Sequence, residues 1–151
     1  MEIKINISKQ FKIPFISINS AEQTSEINSV YENIQIINNS WQLRGALSDK
    51  LKTIYLYQII SFHTEGSKVV CETWHDTYQV QFRIYELANK LPANLFIQIS
   101  SSEIVAISCI NNLELTKSGS YKVYLKNKRI TYTSRRYVKK IREHLLNNEI
   151  N

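Results

Sequence analysis

The side chains best suited to chemistry in this sequence lie near its C-terminal end, in Ser134-Arg-Arg-Tyr-Val-Lys-Lys140. Ser134 is a good helix N-cap, because its hydroxyl can accept from a free backbone N–H. Val138, Ile141 and Leu145 then repeat at helical spacing and give one apolar face. Arg135, Arg136, Lys139 and Lys140 fall on the remaining surface. A first turn with exposed N–H groups, the positive end of a helix dipole and two guanidinium groups has what a phosphate or base-edge contact needs. The same residues also suit an ordinary solvated basic helix that closes a small domain.

Other chemistry is thinly represented. His63, His75 and His144 are far apart and have no metal-ligand spacing, and His75-Asp76 reads as a surface turn. With only three glycines there is no phosphate-cradling Gly-rich loop. Ser100-Ser-Ser102 has no neighbouring base and no nucleophile elbow. Cys71 and Cys109 lack CxxC or Cys/His spacing, so they are expected to be buried free thiols of a cytoplasmic protein. Neither an enzyme nor a cofactor or metal site is expected.

Charge points in the same direction as the C-terminal motif. Of the 151 residues, 115–151 hold ten Lys/Arg against two Asp/Glu, whereas 1–114 hold nine against eleven. The net charge of +6 is therefore owed to the last quarter of the chain. A concentrated positive field attracts a polyanion such as nucleic acid or an acidic membrane surface. Membrane-surface helices usually carry Trp or Phe on the apolar face, and this one carries Val, Ile and Leu. Nucleic acid is favoured. RNA is the weaker version, because no aromatic platform is visible. No apolar run approaches the ~20 residues that cross a bilayer, and no signal peptide opens the chain.

These residues need elements to position them. Residues 2–8 alternate strictly and predict a strand, and 11–19, interrupted by Pro14, predict a second. Ser20-Ala-Glu-Gln23 reads as a capping box that opens a helix to about Asn38, with the stripe Ile27, Val30, Tyr31, Ile34 and Ile37. That stripe suits core packing or a partner surface. A leading strand-strand-helix unit over 1–44 is too small to bury a core alone. It is expected to pack on the rest, to dimerise or to bind a partner. From Trp41 the chain reads mainly β: strands over 51–56, 58–62, 68–74, 78–82, 96–99, 104–107, 113–116, 122–125 and 129–132. A short helix with Ile84, Leu87, Ala88 and Leu91 stops at Pro92. Lys117-Ser-Gly-Ser120 and Lys126-Asn-Lys128 read as hairpin turns.

Taken together, the β segments resemble the LytTR DNA-binding domain family over about residues 45–147. The resemblance is carried by Phe62-His-Thr-Glu-Gly-Ser-Lys-Val69, Leu87-Ala-Asn-Lys-Leu-Pro92, Phe96-Ile-Gln-Ile-Ser-Ser-Ser-Glu-Ile-Val105, and Val123-Tyr-Leu-Lys-Asn leading to Ser134-Arg-Arg-Tyr-Val-Lys-Lys-Ile141. It implies a mainly β (α+β) fold of short antiparallel sheets, with a short middle helix and a C-terminal helix, over 45–151. The implied function is sequence-specific transcription regulation without catalysis. Loops would enter successive major grooves of double-stranded DNA, where a helix-turn-helix would use a recognition helix. Carried over by position, the implied DNA contacts are Ser67 and Lys68, then Ser100 and Ser101, then Arg135 and Arg136. Arg136 matches the base-reading arginine, while Lys139 and Lys140 would hold the backbone.

The chain departs from the family pattern at Ser100 and Ser101, where members often place His followed by a basic or amide residue. It also departs at Ala106, often Asn, and at Gln98, often Arg. Serine brings short reach and no charge, so a weaker or retuned second site is implied. A LytTR-like interaction module with a decayed DNA face is the alternative reading. The leading unit stands where a receiver domain commonly precedes the DNA-binding part, and the first aspartate is Asp49, so no aspartyl-phosphate acceptor precedes it. This resembles stand-alone LytTR regulators, which implies a homodimer on DNA and a membrane-protein inhibitor as a further partner.

Overall fold

Thr24 starts the first helix: its Oγ1 accepts the Ile27 N–H at 3.3 Å, and its carbonyl accepts from Asn28 at 3.0 Å. The helix, α1, runs over Ser25–Ser40. The cap therefore sits four residues beyond the expected Ser20. The computed structural model describes residues 2–12, 14–40 and 42–146; Met1, Ile13, Trp41 and 147–151 lie outside the described residues. Neither 2–8 nor the described part of 11–19 forms a strand, contrary to the alternation. Alternation supplies a face but no neighbour, and a strand's N–H and C=O groups need a second strand to pair with. Ile3, Ile5 and Ile7 accordingly stay exposed.

The chain divides into two compact units, Met1–Ser40 and Trp41–Asn151. The division comes before the expected one at 44, because Gln42–Leu47 is a strand, β1. The sequence gives this strand no β-branched residue and puts Gly45 in its middle, so it is the one strand of the second unit missed by pattern. Gly45 is there for space: a Cβ would meet both Ile54 Cδ1 and Tyr78 Cβ at 2.6 Å.

The second unit continues with β2 (Lys50–Tyr55), β3 (Ile59–Glu65), β4 (Lys68–Thr73), β5 (Thr77–Val80), α2 (Ile84–Lys90), β6 (Phe96–Ser100) and β7 (Glu103–Ala106). These strands form a seven-stranded sheet in the order β2-β1-β5-β4-β3-β7-β6, antiparallel throughout. A second, three-stranded antiparallel sheet is ordered β10-β9-β8, with β8 Ile110–Leu115, β9 Tyr121–Leu125 and β10 Ile130–Tyr132. Within the second unit one apolar core joins both sheets, α2 and the C-terminal helical segment, with Phe62, Ile59 and Val105 of the large sheet, Val123 of the small one, Leu87 of α2 and Ile141 buried together. Cys71 and Cys109 are buried free thiols in that core, as expected.

The predicted C-terminal helix is helical but not regular. It opens as a 3-10 turn over Arg135–Tyr137, continues as α3 over Val138–Ile141, and loosens into a π turn over Arg142–Leu146. Its apolar face is the one the spacing gave: Ile141 is buried, and Val138 and Leu145 pack partly buried against the core.

Candidate nucleic-acid interface

Two short hairpins reach the same end of the large sheet. The β3–β4 connection is the pair Gly66-Ser67, with Glu65 opposite Lys68. Gly66 has φ +60, and Ser67 is not among the positive-φ residues, so the turn is of type II′. The β6–β7 connection is Ser101-Ser102, with Ser100 opposite Glu103. Because β7 pairs with β3 at His63↔Glu103, the two turns lie side by side. The Thr64 N–H also donates to the Ser102 carbonyl at 3.0 Å, which fixes the second turn to the strand leading into the first.

The start of the C-terminal helix is tied to the same place. The Ser134 N–H donates to the Ile99 carbonyl at 2.9 Å, two residues before Ser101. The Tyr137 N–H closes the 3-10 turn on the Ser134 carbonyl at 2.9 Å. The Ser134 hydroxyl makes no cap bond, contrary to expectation, and the turn closes on the Ser134 backbone carbonyl alone. The α-helical part is only four residues long, so the cations, rather than the helix dipole, provide the positive charge here.

Of the residues singled out from sequence, Ser67, Lys68, Ser101, Arg135, Arg136, Lys139 and Lys140 are all exposed. Ser100 is not. It is 8% exposed, its Oγ accepts the Ser102 N–H at 3.2 Å, and it lies 3.1 Å from the Ser102 hydroxyl. Its hydroxyl therefore shapes the turn, and the outward positions are Ser101 and Ser102. Arg136 stands 5.7 Å from the Tyr137 ring centroid, a cation–π approach. Lys139 has Glu143 at 3.9 Å, one helical turn on, which partly offsets its charge. Glu65, the acid nearest Lys68 in register, has an Oε1 3.2 Å from His63 Nε2.

Behind this edge sits a polar cluster that the sequence reading did not anticipate. Arg129 donates from Nε to Glu72 Oε2 at 2.8 Å, and from Nη2 to Glu103 Oε1 at 2.6 Å and Ser61 Oγ at 2.8 Å. Asn127 donates to Glu72 Oε1 at 2.7 Å, and the Thr131 hydroxyl bonds Glu103 Oε2. The cluster joins the small sheet to the large one directly behind the β6–β7 turn. Charges taken this far from water must be paired, and here each carboxylate oxygen is. The available signal was Glu72 and Glu103 standing inside β-branched runs, positions whose burial demands a cation.

Among the described residues no group of His, Cys, Asp and Glu could hold a metal ion, and no helix is long and apolar enough to cross a membrane.

The family model of the LytTr DNA-binding domain matches residues 49–146. An HTH-type transcriptional regulator of Staphylococcus aureus (strain bovine RF122 / ET3-1) is 31% identical over 145 residues, covering 96% of this chain and 98% of that protein. A second, from strain MSSA476, is 30% identical over the same span. The LytTr DNA-binding domain of a putative methyl-accepting/DNA response regulator from Bacillus cereus superposes with a TM-score of 0.67 at 16% identity, covering 70% of this chain and 96% of that one. In this chain α2 and α3 are separated by five strands, so a helix-turn-helix does not join them.

Proposed function

The chain belongs to the LytTR DNA-binding family, and from that premise we propose that it is a DNA-binding transcriptional regulator that reads duplex DNA through loops. The β3–β4 turn, the β6–β7 turn and the start of the C-terminal helix enter successive grooves along one face of the duplex. The observation that supports this most is the convergence of Lys68, Ser101 and Arg136, all exposed, on elements tied together by Thr64–Ser102 and Ser134–Ile99 bonds. Arg136 reads a guanine; a bidentate contact of that kind discriminates by about 1–3 kcal/mol. Lys68, Ser67, Arg135, Lys139 and Lys140 hold phosphates and set affinity and register. Ser101 carries the second site, with Ser100 as its support.

Two copies occupy a direct or imperfect repeat, since one module buries less area than a specific complex needs. The first unit is the place for a protein partner or a second copy: Tyr31, Ile36 and Ile37 of α1 are exposed. A membrane-protein inhibitor is one such partner. No catalytic step enters this reading.

The test is a fluorescence-anisotropy titration with a duplex enriched from a random pool and with its shuffled counterpart. If ~6 phosphates are neutralised, affinity falls about a thousandfold between 50 and 200 mM salt. A flat salt response, or no binding to either duplex, sinks the reading and favours an interaction module with a decayed DNA face.

A further inference from the structure

The β8–β9 hairpin turn, Thr116 to Ser120, belongs to none of the contacts assigned above, yet it leaves the small sheet at the end that carries the basic helix. Register shows this. Leu115 pairs with Tyr121, and Tyr132 pairs with Lys122, so the β8–β9 turn and the exit of β10 share one end. The Thr133 N–H donates to the Tyr121 carbonyl at 2.9 Å, and Thr133 Oγ1 accepts the Tyr121 N–H at 2.8 Å. Thr133 is followed by Ser134, bonded to Ile99, and then by Arg135 and Arg136. Backbone bonds thus lead from Ser120 to the proposed guanine reader without leaving this end of the molecule.

The chemistry of the turn is that of an anion site. Thr116 Oγ1 lies 2.9 Å from Ser118 Oγ and 2.9 Å from Ser120 Oγ, and those two are 3.3 Å apart. The Thr116 hydroxyl donates to the Ser120 carbonyl at 2.9 Å. Thr116 Oγ1 also accepts the Ser120 N–H at 3.2 Å, so Ser120 is held to Thr116. The exposed Ser118 hydroxyl is the one that can turn its proton outward to a ligand oxygen, with the Thr116 proton then bridging the Ser120 carbonyl and Ser118 Oγ. Lys117, between Thr116 and Ser118 in sequence, is exposed. Gly119, at φ +82, lets the chain close this turn, with its N–H on the Thr116 carbonyl at 3.0 Å. The nearest acid along the hairpin, Glu114, accepts the Tyr124 hydroxyl at 2.7 Å.

We infer that Lys117 and Ser118, on a turn braced by Thr116 and Ser120, form a further phosphate-binding turn, holding the DNA backbone beside the groove that Arg136 reads. The inference rests on the proposed DNA-binding reading and extends its footprint past the edge strand β6. Each strand of a duplex presents a phosphate every ~3.4 Å of axis, so a duplex docked at Arg136 runs its flanking phosphates along this end. One hydroxyl donor and an ammonium suit one such oxygen, and neither reads a base.

The experiment compares Lys117→Ala and Ser118→Ala with wild type, Arg136→Ala and Lys52→Ala, whose lysine lies on β2 at the opposite edge of the large sheet. Binding to the enriched and shuffled duplexes is measured across salt. Lys117→Ala should weaken both duplexes several-fold by the same factor and lower the salt slope by about 0.9. Ser118→Ala should weaken both without changing the slope, and Lys52→Ala should match wild type. If Lys117→Ala keeps wild-type affinity and slope while Arg136→Ala loses operator preference, the turn is not a contact although the DNA-binding reading stands. If Lys117→Ala loses preference for the operator alone, it reads bases and the phosphate assignment is overturned. If Lys52→Ala lowers the slope as Lys117→Ala does, the effect is diffuse charge and the site falls. Wild type that binds neither duplex overturns the function and this site with it.

Discussion

Arg129 and Glu103 meet at 2.6 Å between Nη2 and Oε1, a bond from the small sheet to the first residue of β7, immediately behind the Ser101-Ser102 turn. The same guanidinium holds Glu72 at 2.8 Å, so a single cation serves two carboxylates on two strands. Its removal leaves both acids without their charge partner, and that cost exceeds the net worth of the pairing itself.

Arg129→Ala should therefore destabilise the second unit by about 3–5 kcal/mol. Urea unfolding followed by tryptophan fluorescence measures it. Arg129→Lys should recover only part of the loss, because one ammonium cannot reproduce a fork aimed at Glu72, Glu103 and Ser61. A loss below about 1 kcal/mol, the range of an exposed surface pair, would show that the cluster is not holding the sheets together.

Arg136 and Lys140 separate reading from holding. Arg136→Ala should abolish most of the preference for an enriched duplex over its shuffled form, a loss of about 1–3 kcal/mol. Lys140→Ala should weaken both duplexes alike. Equal weakening of both duplexes by Arg136→Ala would reassign that side chain to the phosphates.

Two glycines predict opposite sources of damage. At Gly45 the new methyl of an alanine meets Ile54 and the Cβ of Tyr78, so strands must move apart, and overpacking of this kind costs about 1–3 kcal/mol. At Gly66 an added Cβ has nothing within 4 Å, and only the φ of +60 resists substitution. Gly45→Ala should lower the melting temperature by forcing strands apart, and Gly66→Ala should lower it through backbone strain alone, because the first position of a type II′ turn favours glycine. A melting temperature unchanged by Gly66→Ala would contradict the turn geometry.

Burial pushes the Cys71 thiol from 9.0 up to about 12, with the negative Glu72 beside it adding to the shift; burial also raises Cys109. The thiolate is the reactive form, so at pH 8 native Cys71 should resist iodoacetamide and react only after denaturation. The sign for stability follows. Between pH 9 and about 12 the unfolded chain gives up this proton while the folded chain keeps it, so stability declines as pH rises through that window. Mass spectrometry of the alkylated native protein checks the first point; rapid native labelling of Cys71 would refute its burial.

Much of this was legible in the chain itself. Runs such as Lys68–Thr73 and Tyr121–Leu125 declare strands, because β-branched and aromatic residues at period two can bury only one face of a sheet. The 3–4 spacing of Val138, Ile141 and Leu145 fixed the buried face of the last helix for the same reason. The charge asymmetry located the basic end. Pattern cannot supply a partner, and that is why 2–8 alternates without becoming a strand, while β1, lacking every strand-forming residue type, is one. Only the tertiary structure decided that Ser100 is spent inside its turn, that Arg129 bridges Glu72 and Glu103, and that three segments far apart in sequence share one edge. Each of these depends on which strands lie side by side, a non-local pairing that the local order of residues does not encode.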